Sequence, residues 1–336
     1  MTPPRPPNKR LLAELPSGAW IAALRLRSLG DIVLMTPALA ALKAWRPDLR
    51  LAVVVEPRFA AALAGNPDIE RVILAPAGWP ARVRTIAELR RLRPALAVGL
   101  HGGSTAAVLA RFSSAPERAT FTGLRHPWAY THFTTPPPPP PGRTTLHAAE
   151  HAASLFHALG LPPVELGPAR LFPASAARAR LRQRLAALNV TGPFAFLNLD
   201  AREPRMRWPR ARFAALAAWL RTRYGWASVS ATASAAPPPV DGITIVTATT
   251  VEELIALEAE ATFVAGNDGG PLHIAAALGK PVVGLYSSTD VPVWTPWRTR
   301  AAVLEALPIE DLALDAVQSA ITGLLDPAVS AHHSQA

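Results

Sequence analysis

Two series of short apolar runs, each run followed by a stretch with helical spacing, constrain this chain more than any other feature. In the first series WIAALRL (20–26), LAVVVE (51–56), RVILA (71–75) and ALAVGL (95–100) read as strands. Between them DIVLMTPALAALKAW (31–45), FAAALAG (59–65) and RTIAELRRLR (84–93) read as helices. The alternation restarts with a helix over 175–188. Strands follow at 194–200, 226–231, 243–248, 262–268 and 281–286, separated by helices over 210–225, 251–261 and 271–279. AAVLEAL (301–307) reads as the last strand, with a helix from 309 to 325. Continuous apolar strands need cover on both faces. A parallel sheet wrapped by its own crossover helices supplies it, so the class is α/β.

Between the series the pattern breaks. TTPPPPPPGRTT (134–145) holds six consecutive prolines, 136–141, which favour an extended polyproline II course in a surface loop. A helix over 146–160 and the Pro-rich stretch 161–173 follow. The division expected is an N-terminal domain over 1–168 with a loose 1–18, a C-terminal domain over 169–325, and a mobile tail over 326–336. A chain of 336 residues accommodates two such domains. Half of its residues are hydrophobic and 17% charged, which excludes global disorder. The absence of cysteine excludes disulfides, thiolate zinc sites and a cysteine nucleophile. No apolar run approaches the roughly 18 residues of a membrane helix. The first 20 residues lack the apolar core of a signal peptide, so a cytoplasmic location is expected.

The net charge of +10 is unevenly distributed. Residues 1–168 carry 19 Lys+Arg against 10 Asp+Glu, a balance of +9, and residues 169–336 carry 15 against 14, a balance of +1. An excess confined to one half suggests that this half meets an anion. Three lysines among 34 basic residues mark a chain that uses arginine throughout, which explains the choice of cation but not the asymmetry. No nucleic-acid-binding module is visible, and nucleic acid is not expected as a partner.

Two strand-to-helix junctions concentrate chemistry. In RLRSLGD (25–31), Ser28 and Gly30 supply turn residues and Asp31 stands where a helix begins. In AGNDGGPLH (265–273), Asp268 precedes Gly269 and Gly270, Pro271 suits the first helical position, and His273 follows. Either aspartate serves as a plain helix cap, and His273 as a core histidine. Alternatively, Asp31 is a general base, and the free N–H groups opening the second helix receive a diphosphate.

The sequence carrying these junctions resembles glycosyltransferase family 9, the heptosyltransferases of lipopolysaccharide synthesis. The likeness rests on residues 23–73 with their SLGD and TPAL elements, HAAEHAASLFHALGLP (147–162), RWPRARFAALAAWL (207–220) and residues 265–297, in that order. It extends from about 20 to 325. The resemblance implies the GT-B arrangement, two Rossmann-like domains with parallel sheets facing across a cleft. The first takes the acceptor and the second a nucleotide sugar, ADP-heptose in the best-known members. It further implies a single displacement with inversion and no metal or other cofactor, in keeping with the lack of any Asp-x-Asp. Asp31 matches the family's proposed base, and Asp268, Gly269, Gly270 and His273 match its donor loop. The implied acceptor is an acidic glycolipid core, with peripheral contact at the inner membrane. It accounts for the basic first half, where Arg25, Arg27 and Arg58 lie near the expected cleft.

Three positions depart from the family pattern. Met206 stands where a lysine often contacts the donor phosphate, flanked by Arg205 and Arg207, either of which suits a phosphate. SATASAAPPPVDG (230–242) has no glutamate where many members use one on the ribose, and Gly269 replaces a threonine. These departures leave two alternatives beside heptosyl transfer: another nucleotide sugar on the same fold, or a degenerate binding protein.

Overall fold

The apolar runs form strands because they are covered on both faces. Ile21–Leu24 of β1 (Trp20–Leu24) and all five residues of Phe263–Asn267 are buried. In the computed structural model, which describes residues 8–287 and 290–326, the chain divides into two units, Met1–Phe172 and Pro173–Ala336. Residues 1–7, Ser288, Thr289 and 327–336 lie outside the described residues. With them go the start of the expected loose segment, part of the last motif and nearly all of the expected tail.

The first unit runs α1 (Leu11–Glu14), β1, α2 (Leu29–Leu34), α3 (Thr36–Trp45), β2 (Arg50–Val55), β3 (Arg71–Leu74), α4 (Trp79–Leu92), β4 (Leu96–Gly99), α5 (Ser104–Phe112), β5 (Glu117–Phe121), β6 (His132–Thr134) and α6 (Ala148–Ala158). Its strands are all parallel, in the order β3-β2-β1-β4-β5-β6. The helix read over 31–45 breaks at Met35. Pro37 has no amide to donate and its ring crowds the preceding turn, so α2 ends and α3 restarts with Pro37 in its first turn. The 59–65 stretch is a 3-10 segment, Pro57–Leu63. Helix α4 starts five residues before the expected 84, with Pro80 in its first turn.

The expected loose start does not hold for residues 8–18. Leu11, Leu12 and Leu15 are buried. The Arg46 guanidinium donates to the carbonyls of Leu12, Ala13 and Leu15 at 2.7, 3.2 and 3.0 Å. Gly160, at φ +113°, leaves room for the Lys9 carbonyl, which a Cβ would meet at 2.4 Å. The division falls after Phe172 rather than after 168. Leu161, Leu166, Ala169 and Leu171 are buried, and Arg170 reaches Asp68 at 3.3 Å, which ties this stretch to the first unit.

The second unit runs α7 (Ser175–Ala187), β7 (Phe194–Asn198), α8 (Arg210–Tyr224), β8 (Ala227–Ala231), β9 (Ile243–Val246), α9 (Val251–Glu260), β10 (Phe263–Asn267), α10 (Gly270–Ala277), β11 (Val282–Tyr286), α11 (Val291–Trp294), β12 (Ala301–Glu305) and α12 (Leu314–Leu325). Its parallel order, β12-β11-β10-β7-β8-β9, repeats that of the first unit, counting from its own first strand. Its core lies in two layers. One gathers around Trp208, Phe213 and Leu220, the other around Leu181, Phe196 and Tyr286. No helix of the described residues is long and apolar enough to cross a membrane.

Candidate active site

Each sheet grows outward from one seam, between β1 and β4 in the first unit and between β7 and β10 in the second. At such a seam the crossover helices leave toward opposite faces, and a crevice opens beyond the carboxyl ends of the two strands. Arg25, Arg27, Ser28, Gly30 and Asp31 follow β1. Arg205 and Arg207 follow β7, and Asp268, Gly269, Gly270 and His273 follow β10. Arg58 stands apart, after β2. Its guanidinium is held by Glu56 at 2.8 Å and lies 4.5 Å over the Phe59 ring.

In the first unit Ser28 is the N-cap of α2 and Asp31 its third residue. Asp31 Oδ2 accepts from the Ser28 amide at 3.2 Å and the Ser28 hydroxyl at 2.8 Å. Asp31 Oδ1 pairs with the guanidinium of Arg25, which also donates to the Leu100 carbonyl at the end of β4. Asp31 is therefore both a helix cap and one half of a largely buried ion pair. A carboxylate offers about four lone-pair directions, and these three bonds leave one for a hydroxyl. Burial lowers the Arg25 pKa, an effect the Asp31 charge opposes. Gly30 is a buried residue inside α2, so its expected role in the turn is not seen. Arg27 is exposed.

Two histidines that the sequence reading left out lie near this pair. His101 follows β4 in the HGG stretch 101–103. Burial lowers its pKa first, and the Arg25 and Arg27 charges add to the effect against Asp31 and Glu56. His151, on α6, is lowered by burial and then by Arg25, and its ring sits 4.2 Å from that of Phe121. Both imidazoles are thus neutral near pH 7. A His-Gly-Gly run closing a buried strand was the available signal for His101. His151 came within the motif 147–162 with nothing to single it out.

In the second unit two asparagines shape the seam. Asn198 Nδ2 donates to the carbonyls of Asn267 and Asp200 at 2.8 and 3.1 Å. Asn267, fully buried, accepts from the Trp208 amide at 2.9 Å and donates to the Leu199 carbonyl at 2.8 Å. These bonds fix the 199–208 loop against the end of β10. Gly266, at φ +142°, is the glycine the backbone needs, since a Cβ there would lie 2.3 Å from the Asn198 carbonyl oxygen. The expected turn glycine Gly269 is extended at φ 168°, a conformation open to any residue, and its Cβ would make ordinary contacts. The backbone would therefore accept the family's threonine.

Asp268 precedes the N-cap of α10, with Pro271 second rather than first in that helix. Burial pushes its pKa up to about 6, against the Arg202 charge and a hydrogen bond from the Gly269 amide. Arg202, another residue the sequence reading passed over, is exposed and paired with Glu203 at 3.1 Å. Arg205 shares that glutamate at 2.8 Å, and Arg207 donates to the Ala201 carbonyl at 3.4 Å. Met206 between them is buried, so the side chain in the lysine position turns inward and its cationic neighbours stay outside. His273 is buried on α10, its ring 6.3 Å from that of Trp294. A helix N-terminus beside a 199–208 loop that carries three exposed guanidiniums and is bonded to Asn267 favours an anion.

The family model for glycosyltransferase family 9 (heptosyltransferase) matches residues 82–315. Lipopolysaccharide heptosyltransferase 3 of Escherichia coli is 26% identical over 295 residues, covering 81% of this chain and 84% of that protein. The glycosyl transferase family 9 structure from Veillonella parvula superposes with a TM-score of 0.80 at 20% identity, covering 93% of this chain and 98% of the other. Escherichia coli ADP-heptose lps heptosyltransferase II gives 0.74 at 19% identity, over 92% and 99%. These two structures share the fold.

Proposed function

This chain belongs to glycosyltransferase family 9, the heptosyltransferase family, and we propose that it moves a heptose from ADP-heptose to an acidic lipopolysaccharide core at the cytoplasmic face of the inner membrane, with inversion and without a metal. The observation that carries this reading is the pairing of chemistry with topology. A hydrogen-bonded aspartate with one acceptor direction left stands at the first seam, and an anion-favouring helix start stands at the second. The likeness to Escherichia coli ADP-heptose lps heptosyltransferase II supports ADP-heptose as the donor.

In this reading Asp31 takes the proton of an acceptor hydroxyl as that oxygen attacks the anomeric carbon. The bond from that carbon to the diphosphate oxygen breaks, and the nucleoside diphosphate leaves with the electron pair. The α10 N-terminus, with Arg205, Arg207 and Arg202, offsets the negative charge on the leaving group. Asp268, Gly269, Gly270 and His273 form the donor loop. Arg25 holds Asp31 in place, and Arg27 attracts the acidic acceptor.

Turnover with ADP-heptose and a Kdo–lipid A acceptor, with the product anomer read by NMR, tests the reading. Formation of the inverted anomer in the presence of chelator supports it. No transfer to any heptose acceptor, or activity that chelator abolishes and a divalent ion restores, overturns it in whole or in the metal-free part.

A second reading changes the nucleotide. After β8 the segment 232–242 holds no glutamate and offers the hydroxyls of Thr232 and Ser234 to a ribose, with Thr232 Oγ1 accepting from the Ser234 amide at 3.2 Å. Thermal shifts with ADP-, UDP- and GDP-sugars decide between them, because the ligand bound most tightly raises Tm most.

A further inference from the structure

Helix α4 turns to solvent a strip that belongs to neither seam. Its buried residues Ala81, Thr85 and Leu89 recur every four positions and fix the inward face. At about 100° per residue the outward arc then holds Trp79, Val83 and Arg90 along one side and Arg84 and Arg91 along the other. Trp79 is 64% exposed and Val83 47%, and Leu74 at the end of β3 and Phe112 at the end of α5 are 44% and 42% exposed. Large apolar side chains left this open in one region mark an interaction surface.

The charge of the strip has one sign. Glu88, the sole acid of α4, lies off the outward arc and is held by Arg71 at 2.8 Å. Arg84 and Arg91, with Arg71, Ala87, Glu88 and Leu92, line an open hollow of about 520 Å³. Arg90 donates to the Phe112 carbonyl at 3.1 Å, and Arg111 lies 5.6 Å over that exposed ring. Exposed Arg93 caps the helix C-terminus.

We propose that the outward face of α4, with Leu74, docks on an anionic lipid bilayer. Arginines lining an open hollow suit lipid phosphates, while a tryptophan and two aliphatic side chains beside them suit the headgroup–acyl boundary. Duplex nucleic acid would satisfy the arginines but leave Trp79, Val83 and Leu74 in water. Trp79 opens α4 directly after β3, at the carboxyl end of a parallel sheet. That is the end at which Asp31 follows β1, so Trp79 lies toward the end of the unit that carries the candidate base, while the hollow, with Arg71 at the start of β3 and Leu92 at the end of α4, extends toward the other. The inference rests on the proposed reaction at the inner membrane and assigns that contact to one face, and lipid binding is read without turnover, so either fails independently of the other.

Flotation of the full chain with vesicles tests it, using phosphatidylcholine alone and phosphatidylcholine mixed with phosphatidylglycerol. The chain should float with the mixed vesicles only, less as salt is raised. Arg84→Gln and Arg91→Gln should each weaken binding about fivefold, the attraction of one basic group to an anionic surface. Trp79→Ala should weaken it while leaving the salt dependence in place. All three replace solvent-facing side chains, and an unchanged Tm verifies that each variant is folded. Absence of binding to the mixed vesicles overturns the proposal, as does undiminished binding by the R84Q/R91Q double variant. Duplex DNA that competes with the vesicles, with Trp79→Ala neutral for both, would make the face a general polyanion site and end the lipid assignment.

Discussion

At the scale of single residues, Asp31 and Asp268 answer to different surroundings. Asp31 is held by Ser28 and Arg25, bonds that orient it. Asp31→Asn keeps the shape of the cap but cannot take a proton, so kcat should fall about a hundredfold or more with donor binding unchanged. Turnover and a nucleotide-sugar titration on the same preparation check this. Burial raises the Asp268 pKa from 3.8 to about 6. A carboxyl raised on folding contributes most at low pH, and the contribution is lost as pH rises from about 4 through about 6. Asp268→Asn removes that dependence, so the unliganded variant should be more stable at pH 7–8, by about 2 kcal/mol after discounting partial exposure. Its nucleotide-sugar affinity should fall. Denaturation at pH 4 and 7.5, beside a binding titration, tests both halves. Both aspartates were legible in the sequence because each stands in a junction from a strand to a helix. Arg202 was not, because its charge matters through a partner 66 positions away.

At the scale of elements, the backbone near β10 is the tightest part of the second seam. Gly266→Ala drives a Cβ into the Asn198 carbonyl at a positive φ and should cost about 3 kcal/mol or more, measured by chemical denaturation. Gly269→Ala, at an extended position with ordinary contacts, should cost far less. The pair separates a glycine required by geometry from one that merely occurs, which the run AGNDGG could not do. Helix α9 carries a second buried carboxyl, Glu258. Burial raises its pKa well above 4.5, with the nearby Ala275 amide on α10 opposing the shift, and neither carboxyl oxygen has a hydrogen-bond partner. Stability should therefore decline as pH rises above 4.5, and Glu258→Gln should flatten that decline. The measurement is Tm from pH 4 to 8 for both proteins. If the two curves run parallel, Glu258 does not carry the dependence.

At the scale of the whole chain, each unit owns a complete six-stranded sheet and its own core. Residues 173–326 made alone should unfold cooperatively and still show a thermal shift with the nucleotide sugar that stabilises the full chain. Non-cooperative melting would mean that the second unit depends on the first. The boundary itself was only roughly legible, since composition marks 161–173 as Pro-rich but does not reveal that Leu166 and Leu171 are buried in the first unit.

The amino-acid sequence alone determined the class of fold, the two-unit organisation, and the two strand-to-helix junctions that carry an aspartate. These depend on local spacing, because burial on both faces of a strand and the opening of a helix leave periodic and chemical marks along the chain. It also carried enough of the family's ordered motifs for the resemblance to be recognised. Tertiary structure decided that β1 lies against β4 and β7 against β10, which makes those junctions seams. It also decided that Asp31 pairs with Arg25, that Met206 turns inward, and that Gly266 rather than Gly269 is the required glycine. Each depends on atoms brought together from distant parts of the chain or on which way a side chain points. Strand order and burial set both, and neither leaves a periodic trace in the sequence.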